Sequence, residues 1–206
     1  MKRMILIDGN SLMYRAYFGI ADTSTLKPNS KGVFTNAIMS FARMMNHILQ
    51  EQFDNILVAF DAGKHTFRHD IMTDYKAGRA HMPEEMRMQI AHIKNLLDLL
   101  GVKRYEVALY EADDIIGTMA KKAEGEGYHV DIYSSDKDLL QLITDNTTVH
   151  LTKKGLTDLE DYTPSHFEEV YGIKVPQFID LKALMGDKSD NISGVPGIGI
   201  KKAVKY

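Results

Sequence analysis

Val107-Ala108-Leu109-Tyr110-Glu111-Ala112-Asp113-Asp114-Ile115-Ile116 is the stretch on which the fold turns: an apolar run passes through three acids into a helical pattern. Ala112, Ile115, Ile116, Met119, Ala120 and Ala123 recur at helical spacing, so one face of that helix is buried. Glu111 and Asp114 stand three residues apart and share a face at the helix start. Asp113 lies about 100° round from Asp114, the step of the helical repeat. The helix dipole favours acids in a first turn, which accounts for one of them. A cap rarely needs three, so the neighbouring stretches decide what they mean.

The same order, strand and then acid, recurs on both sides. Arg3 to Ile7 reads as a short buried strand ending at the turn Asp8-Gly9-Asn10-Ser11. Asn55 to Phe60 runs as a second strand into Asp61, and Val102 to Val107 is a third. Tyr128 to Tyr133 is a fourth, ending in Ser134-Ser135-Asp136-Lys137-Asp138, and Thr147 to Leu151 is a fifth. Between them, residues 33–51 carry Phe34, Ile38, Phe41, Met45 and Ile48 on one helical side. Pro83 to Leu100 is a further helix, with Pro83 in its first position, Glu84 and Glu85 in its first turn and Gly101 as its stop. Leu139 to Thr144 is a short helix, and Thr163-Pro164 and Val175-Pro176 open two more. The last ends at Gly186-Asp187-Lys188-Ser189-Asp190-Asn191. Strands alternating with helices predict a mainly parallel α/β sheet, in which ligands sit beyond the carboxyl ends of the strands. Asp8, Asp61, the Glu111 group, Asp136 and Asp138 all fall there, and Asp187 and Asp190 close the series at a helix end.

At 206 residues the chain can bury one substantial core. It has no cysteine, which excludes disulfides and cysteine-based zinc or iron–sulfur sites and fits a reducing compartment. The apolar run after Lys2-Arg3 stops at Asp8, too short for an export signal or a membrane span, so a cytoplasmic protein is expected. The net charge of −3 does not advertise nucleic acid, but its distribution does. Residues 62–82 gather Lys64, Arg68, Lys76 and Arg79 in a polar stretch without period, the pattern of a functional loop. Residues 191–206 hold Lys201, Lys202 and Lys205 and no acid.

Two carboxylates about 4 Å apart repel by roughly 4 kcal/mol at an effective dielectric near 20. Several such pairs threaten a domain whose whole stability is about 5–15 kcal/mol. Bound cations or retained protons resolve the conflict. Oxygen-only ligation suits Mg²⁺ or Mn²⁺. Because Mg²⁺ takes only one or two carboxylates each, so many acids point to two metals, an arrangement suited to phosphodiester hydrolysis. Gly194-Val195-Pro196-Gly197-Ile198-Gly199, between short helices and followed by Lys201 and Lys202, is a hairpin whose N–H groups can hold a phosphate. In Tyr75-Lys76-Ala77-Gly78-Arg79, the cations can neutralise a phosphate and Tyr75 can stack on a base. The plainer readings are helix caps for single acids, a turn for the glycines and a solvated loop for residues 62–82.

Taken in order, Asp8-Gly9-Asn10-Ser11 with Tyr14-Arg15-Ala16, Phe60-Asp61-Ala62, Phe67-Arg68, Tyr75-Lys76-x-x-Arg79, Glu111-Ala112-Asp113-Asp114, Asp136-Lys137-Asp138, Gly186-Asp187-x-x-Asp190-Asn191-Ile192 and the 194–199 hairpin form one set. From end to end it resembles the bacterial 5′→3′ exonuclease and flap endonuclease family, nearest the members joined to a DNA polymerase. The resemblance implies a PIN-like core over residues 1–185, with a helical arch at about 64–90. It implies two Mg²⁺ ions, replaceable by Mn²⁺, on Asp8, Asp61, Glu111, Asp113, Asp114, Asp136, Asp138, Asp187 and Asp190. Asp8, Asp61, Glu111, Asp113 and Asp136 would act in catalysis with Lys76 and Arg79, which face the scissile phosphate. Arg15, Arg68 and Tyr75 are further DNA contacts.

Residues 186–206 would begin a helix–hairpin–helix element that grips duplex through Gly194, Gly197, Gly199, Lys201 and Lys202 and holds K⁺. With the chain ending at Tyr206, that element reads as incomplete, as in a fragment or a naturally short protein. The implied reaction is cleavage at the junction of a 5′ single strand with duplex, on flaps, nicks and RNA–DNA primer junctions, in replication and repair. The protein would be a monomer at the nucleoid, linked to a polymerase portion and not to a membrane. Two rivals share the acids. A PIN-class ribonuclease has no use for the hairpin, and a DNA-binding module without catalysis has no use for a complete acid set.

Overall fold

In a computed structural model, which describes residues 1–19, 27–153 and 158–206, β1 (Lys2–Asp8) is an inner strand buried on both faces. Ile5 and Ile7 point to one side of the sheet and Met4 and Leu6 to the other, following the two-residue repeat of a strand. That double burial is why Met4-Ile5-Leu6-Ile7 is a continuous apolar run. Each aliphatic side chain fully buried there contributes about 1.5–3 kcal/mol.

Beside β1 run β2 (Asn55–Ala59) and β4 (Tyr128–Ser134), both parallel to it. β3 (Lys103–Tyr105) extends the sheet beyond β2, and β5 (Thr147–Thr152) and β6 (Leu159–Tyr162) extend it beyond β4. The order is β3-β2-β1-β4-β5-β6, with only β6 antiparallel. The chain therefore winds outward from β1 in one direction and then returns to build in the other. The crevice between the carboxyl ends of β1 and β4 is the switch point of the topology.

Helices cover both faces. α1 (Gly9–Phe18), α2 (Asn36–Ile48) and α4 (Glu84–Leu99) pack Leu12, Met13, Phe41, Met45, Met86 and Ile93 against Ile5, Ile7, Val58 and Tyr133. α5 (Ala112–Gly125), α6 (Pro164–Tyr171) and α7 (Phe178–Met185) pack Ile116, Ala120, Phe167, Phe178 and Leu181 against Met4, Leu6, Val130, Ile132 and Val149. Buried Gln89 of α4 accepts the Ala37 and Ile38 N–H groups and so caps α2 from a neighbouring helix. A short α3 (Phe67–Ile71) lies in the basic stretch, and α8 (Ile200–Ala203) follows the glycine hairpin. Among the described residues no helix is long and apolar enough to cross a membrane.

All five expected strands form, and the differences lie at their ends. The turn expected at Asp8-Gly9-Asn10-Ser11 is instead the start of α1, because the Asp8 carboxylate accepts the Ser11 N–H at 2.9 Å and caps the helix directly. Gly9 permits the join, since a Cβ there would lie 2.6 Å from the Phe60 ring and 2.9 Å from the Ala59 carbonyl oxygen. The third strand is shorter than expected. Leu109 is left-handed (φ 69°), and its carbonyl accepts the Phe67 N–H, which turns the chain away from the sheet.

Pro83 caps α4 from just outside the helix and is not its first residue. The helix expected from Leu139 is a 3-10 turn over Lys137–Leu142. β6 and a two-strand ribbon, β7 (Gly186–Asp187) with β8 (Ile192–Ser193), are additional. In the region read as a helical arch, residues 64–83 hold only α3 and turns, and they fold down onto the acids.

Candidate active site

The end of β1 supplies Asp8, two residues past β2 lies Asp61, α5 begins on Glu111 and carries Asp113 and Asp114, and Asp136 follows β4. Asp8, Asp61, Glu111, Asp113 and Asp136 line a cavity of about 920 Å³ at the switch point. Glu111, Asp113, Asp114, Asp136, Asp138 and Asp190 line an adjoining cavity of about 540 Å³. Tyr75, Lys76 and Arg79 belong to both walls. The basic stretch is thus a strap across one acidic cleft.

Three acids are oriented by neutral groups, and Asp113 stands among them. Asp8, 4 % exposed, accepts from the Ser11 N–H and, at 2.9 Å, from the Ser134 hydroxyl. Ser134 in turn accepts the Asp136 N–H at 2.9 Å, which links the two acids through one hydroxyl. Asp136 accepts the Asp138 N–H. Asp61 accepts the Ala112 N–H at 2.8 Å and the Asn10 side-chain amide at 2.9 Å, while Asn10 accepts the Asp61 N–H. Burial pushes Asp8 up to about 7 against those hydrogen bonds, with Asp61 and Asp136 adding repulsion. Asp113 is pushed up to about 8 by burial and then by Asp8, Asp136, Glu111 and Asp61. Burial also raises Asp61 and Asp136. Among the described residues none of these four forms an ion pair.

The other five are held by cations. Lys76 Nζ lies 2.8 Å from Glu111, and Arg79 pairs with Asp190. Arg68 grips Asp114 with two bonds of 2.8 Å. That fork outweighs the burial that opposes it and lowers Asp114. Lys182 Nζ bridges Asp138 at 2.8 Å and Asp187 at 2.5 Å. Burial is again opposed, by Lys182 and Ser189, and Asp187 falls to about 2. Among the described residues no three acidic or histidine side chains close on one point as a finished metal cage. The donors nevertheless suit a hard divalent ion. They are all oxygens, and the inner four have no ion-pair partner among the described residues and raise one another's pKa.

Three of the expected DNA contacts have partners within the chain. Tyr75, read as a stacking platform, is 6 % exposed, with its hydroxyl on Glu111 (3.3 Å) and Asp190 (3.1 Å). Its ring packs T-shaped on His69, and Lys76 Nζ lies over it 5.0 Å from the centroid. The half-exposed ring on the cavity wall is Tyr14, stacked on Phe18. Arg68 serves Asp114, and Arg15 donates to the Lys153 carbonyl. In the hairpin, Gly197 is left-handed (φ 76°) and Lys202 Nζ donates back to its carbonyl at 2.9 Å. Lys201 and Gly199 are exposed and Gly194 half-buried. Lys182, Asn10 and Ser134 escaped the sequence reading. Asn10 had a signal in its place within Asp8-Gly9-Asn10-Ser11, and Lys182 had one as a cation five residues before Asp187.

Residues 3–172 match the family described as 5′-3′ exonuclease, N-terminal resolvase-like domain, and residues 173–206 match its C-terminal SAM fold. The chain is 53 % identical over 205 residues to DNA polymerase I of Bacillus subtilis, and 44 % identical over 204 residues to the thermostable DNA polymerase I of Thermus thermophilus. It spans 99 % and 98 % of itself in those matches but only 23 % of either polymerase. Among solved structures, a bacteriophage T5 flap endonuclease in complex with DNA and metal ions superimposes with a TM-score of 0.77. That match is at 27 % identity and covers 99 % of this chain and 74 % of that one. Flap endonuclease-1 of Methanococcus jannaschii, at 22 % identity and a TM-score of 0.64, shares the fold. The match to the N-terminal domain alone takes in well over half of the residues, and the chain belongs to the 5′-3′ exonuclease family.

Proposed function

We propose that the chain is a structure-specific 5′ nuclease that hydrolyses a phosphodiester where a 5′ single strand meets duplex. The observation that carries this reading is the set of buried Asp8 and half-buried Asp61, Asp113 and Asp136, which line one cavity and form no ion pair among the described residues, beside two cations, Lys76 and Arg79. Asp8, Asp61, Glu111, Asp113, Asp114, Asp136, Asp138, Asp187 and Asp190 would hold two Mg²⁺ ions between them, with water and phosphate oxygens completing each shell. Metal ions held there would supply an activated water and a Lewis acid for the leaving oxygen.

The chain's own part is to orient and to neutralise. Ser134, Ser11 and Asn10 fix the carboxylates without cancelling their charge. Lys76 and Arg79, released from Glu111 and Asp190, face the charge that develops on the phosphate. The exposed Lys201 and the glycine N–H groups of the 194–199 hairpin take the duplex backbone, the hairpin would hold K⁺, and Lys202 Nζ braces the turn through the Gly197 carbonyl.

Support comes from the family match, from the T5 flap endonuclease complexed with DNA and metal ions, and from relatives in which this region is part of a DNA polymerase. A role in removing flaps and primers at the nucleoid, as a monomeric portion of such a polymerase, follows from the same reading. The test is cleavage of an end-labelled 5′-flap duplex with Mg²⁺ and with chelator. Mg²⁺-dependent cutting near the junction, leaving a 5′-phosphate, is expected. Cutting that survives chelation, or that prefers single-stranded RNA, overturns it.

A further inference from the structure

Lys76 and Asn191 are both left-handed, at φ 59° each, and they lie in two segments that touch. Side chains larger than glycine resist that region, which persists only where the surroundings fix it. Here each segment fixes the other. The Lys76 N–H donates to the Asp190 carbonyl at 3.0 Å, and the Asn191 side-chain amide donates to the Asp74 carbonyl at 2.9 Å. The strap is thus stitched by main-chain acceptors to the loop after β7, beside the ion pairs Lys76–Glu111 and Arg79–Asp190.

The loop itself is pinned. A Cβ on Gly186 would lie 2.2 Å from the Gly194 nitrogen, so the two ends of the ribbon touch backbone to backbone. Gly194, three residues past Asn191, opens the hairpin. The ion pairs and the stitches differ in one respect that matters. A cation on Glu111 or Asp190, or a phosphate on Lys76 or Arg79, competes directly with the ion pairs. Neither competes with an amide donating to a backbone carbonyl.

We propose that Asn191 is a positioning residue for cleavage: its amide keeps the 74–79 strap in place while Lys76 and Arg79 exchange their acid partners for phosphate, and it does so from the loop that leads into the hairpin. This rests on the nuclease reading above. Two variants separate side chain from backbone. Asn191→Gly accepts the left-handed conformation without strain and loses the donor. Asn191→Asp keeps the shape but sets an acceptor against the Asp74 carbonyl.

The first readout is hydrogen exchange of the chain without DNA, with peptides from β1 reporting fold integrity. Peptides spanning 73–80 should exchange about three- to tenfold faster in both variants, the factor one net hydrogen bond supplies. The second is the kinetics on the 5′-flap duplex, where kcat should fall by a similar factor with KM unchanged. Strap exchange at the wild-type rate in Asn191→Gly overturns the proposal. So does faster exchange with an unchanged kcat, or a loss confined to KM. Should the wild-type chain cut no flap, the nuclease reading falls, and with it the positioning role, while the exchange result still shows whether the stitch exists.

Discussion

The acids of the cleft fall into two sets that differ in what opposes their charge. Asp8, Asp61 and Asp136 are held by N–H, hydroxyl and amide groups, and Asp113 stands among them. Glu111, Asp114, Asp138, Asp187 and Asp190 are held by Lys76, Arg68, Lys182 and Arg79. A neutral donor orients a carboxylate but leaves its charge in place. A cation removes the repulsion but must be displaced before another ligand can enter. The inner set is therefore a standing demand for positive charge, and the outer set is a reserve that opens only when the strap or Lys182 moves.

The sharpest way to break this distinction is Asp113→Asn. Loss of an inner carboxylate should lower flap cleavage by at least about a thousandfold, several kcal/mol of transition-state stabilisation. In chelator, the same change should stabilise the fold. Asp113 moves from 3.8 in the unfolded chain to about 8 when folded, and Asp8 to about 7. The folded chain therefore binds more protons than the unfolded one between those values, and its stability falls as pH rises through that window. Thermal melts in chelator from pH 5 to 9 should decline less steeply for Asp113→Asn than for the wild type, and Mg²⁺ should restore the wild type more than the variant. Parallel melting profiles would mean that the inner acids are not frustrated.

Lys76→Ala probes the border between the sets. Cleavage should fall by about a hundredfold, the usual loss for one donor aimed at transition-state charge, while duplex affinity changes little. Equal losses in turnover and affinity would make Lys76 an anchor. Arg68→Ala tests the outer set alone. It strands Asp114, which is only partly buried, so urea unfolding should show a loss of about 1–2 kcal/mol. An unmoved midpoint would show that the fork contributes nothing and that Asp114 is as independent as the inner acids.

Much of this was legible in the residues. Asp8 ends an apolar strand and Asp61 and Asp136 follow apolar strands, and a parallel sheet must carry such positions to one edge, to which the start of α5 brings Glu111. Their division into two sets was not legible. Lys182, Arg68 and Arg79 reach their acids from separate elements, and no periodicity encodes a side-chain pairing between residues as distant as Arg79 and Asp190. The strap misled for a related reason. Tyr75 looks like an exposed aromatic in a polar run, yet its neighbours turn it inward onto Glu111 and Asp190. β6 and the β7–β8 ribbon are too short to show an alternation, and the ribbon depends on two glycines meeting across a turn.

A third group of charges, away from the cleft, provides the control. On β4 and β5, Asp131 is buried and held by Arg3 at 2.9 Å and by His150 at 2.9 Å, and His150 also reaches Asp161 at 2.7 Å. Burial alone would discharge His150, but the hydrogen bonds to Asp131 and Asp161 prevail and raise it above 6.5. A raised histidine contributes its full stability below 6.5 and loses it as pH climbs through the folded value. His150→Gln should therefore cost about 1 kcal/mol at pH 6, typical of a charge-assisted hydrogen bond, and little at pH 9. Chelator and Mg²⁺ should leave that difference untouched, because this carboxylate already has its cations. A Mg²⁺-dependent difference would extend the demand for positive charge beyond the switch point and undo the separation between acids that are merely buried and acids that are buried and unpaired.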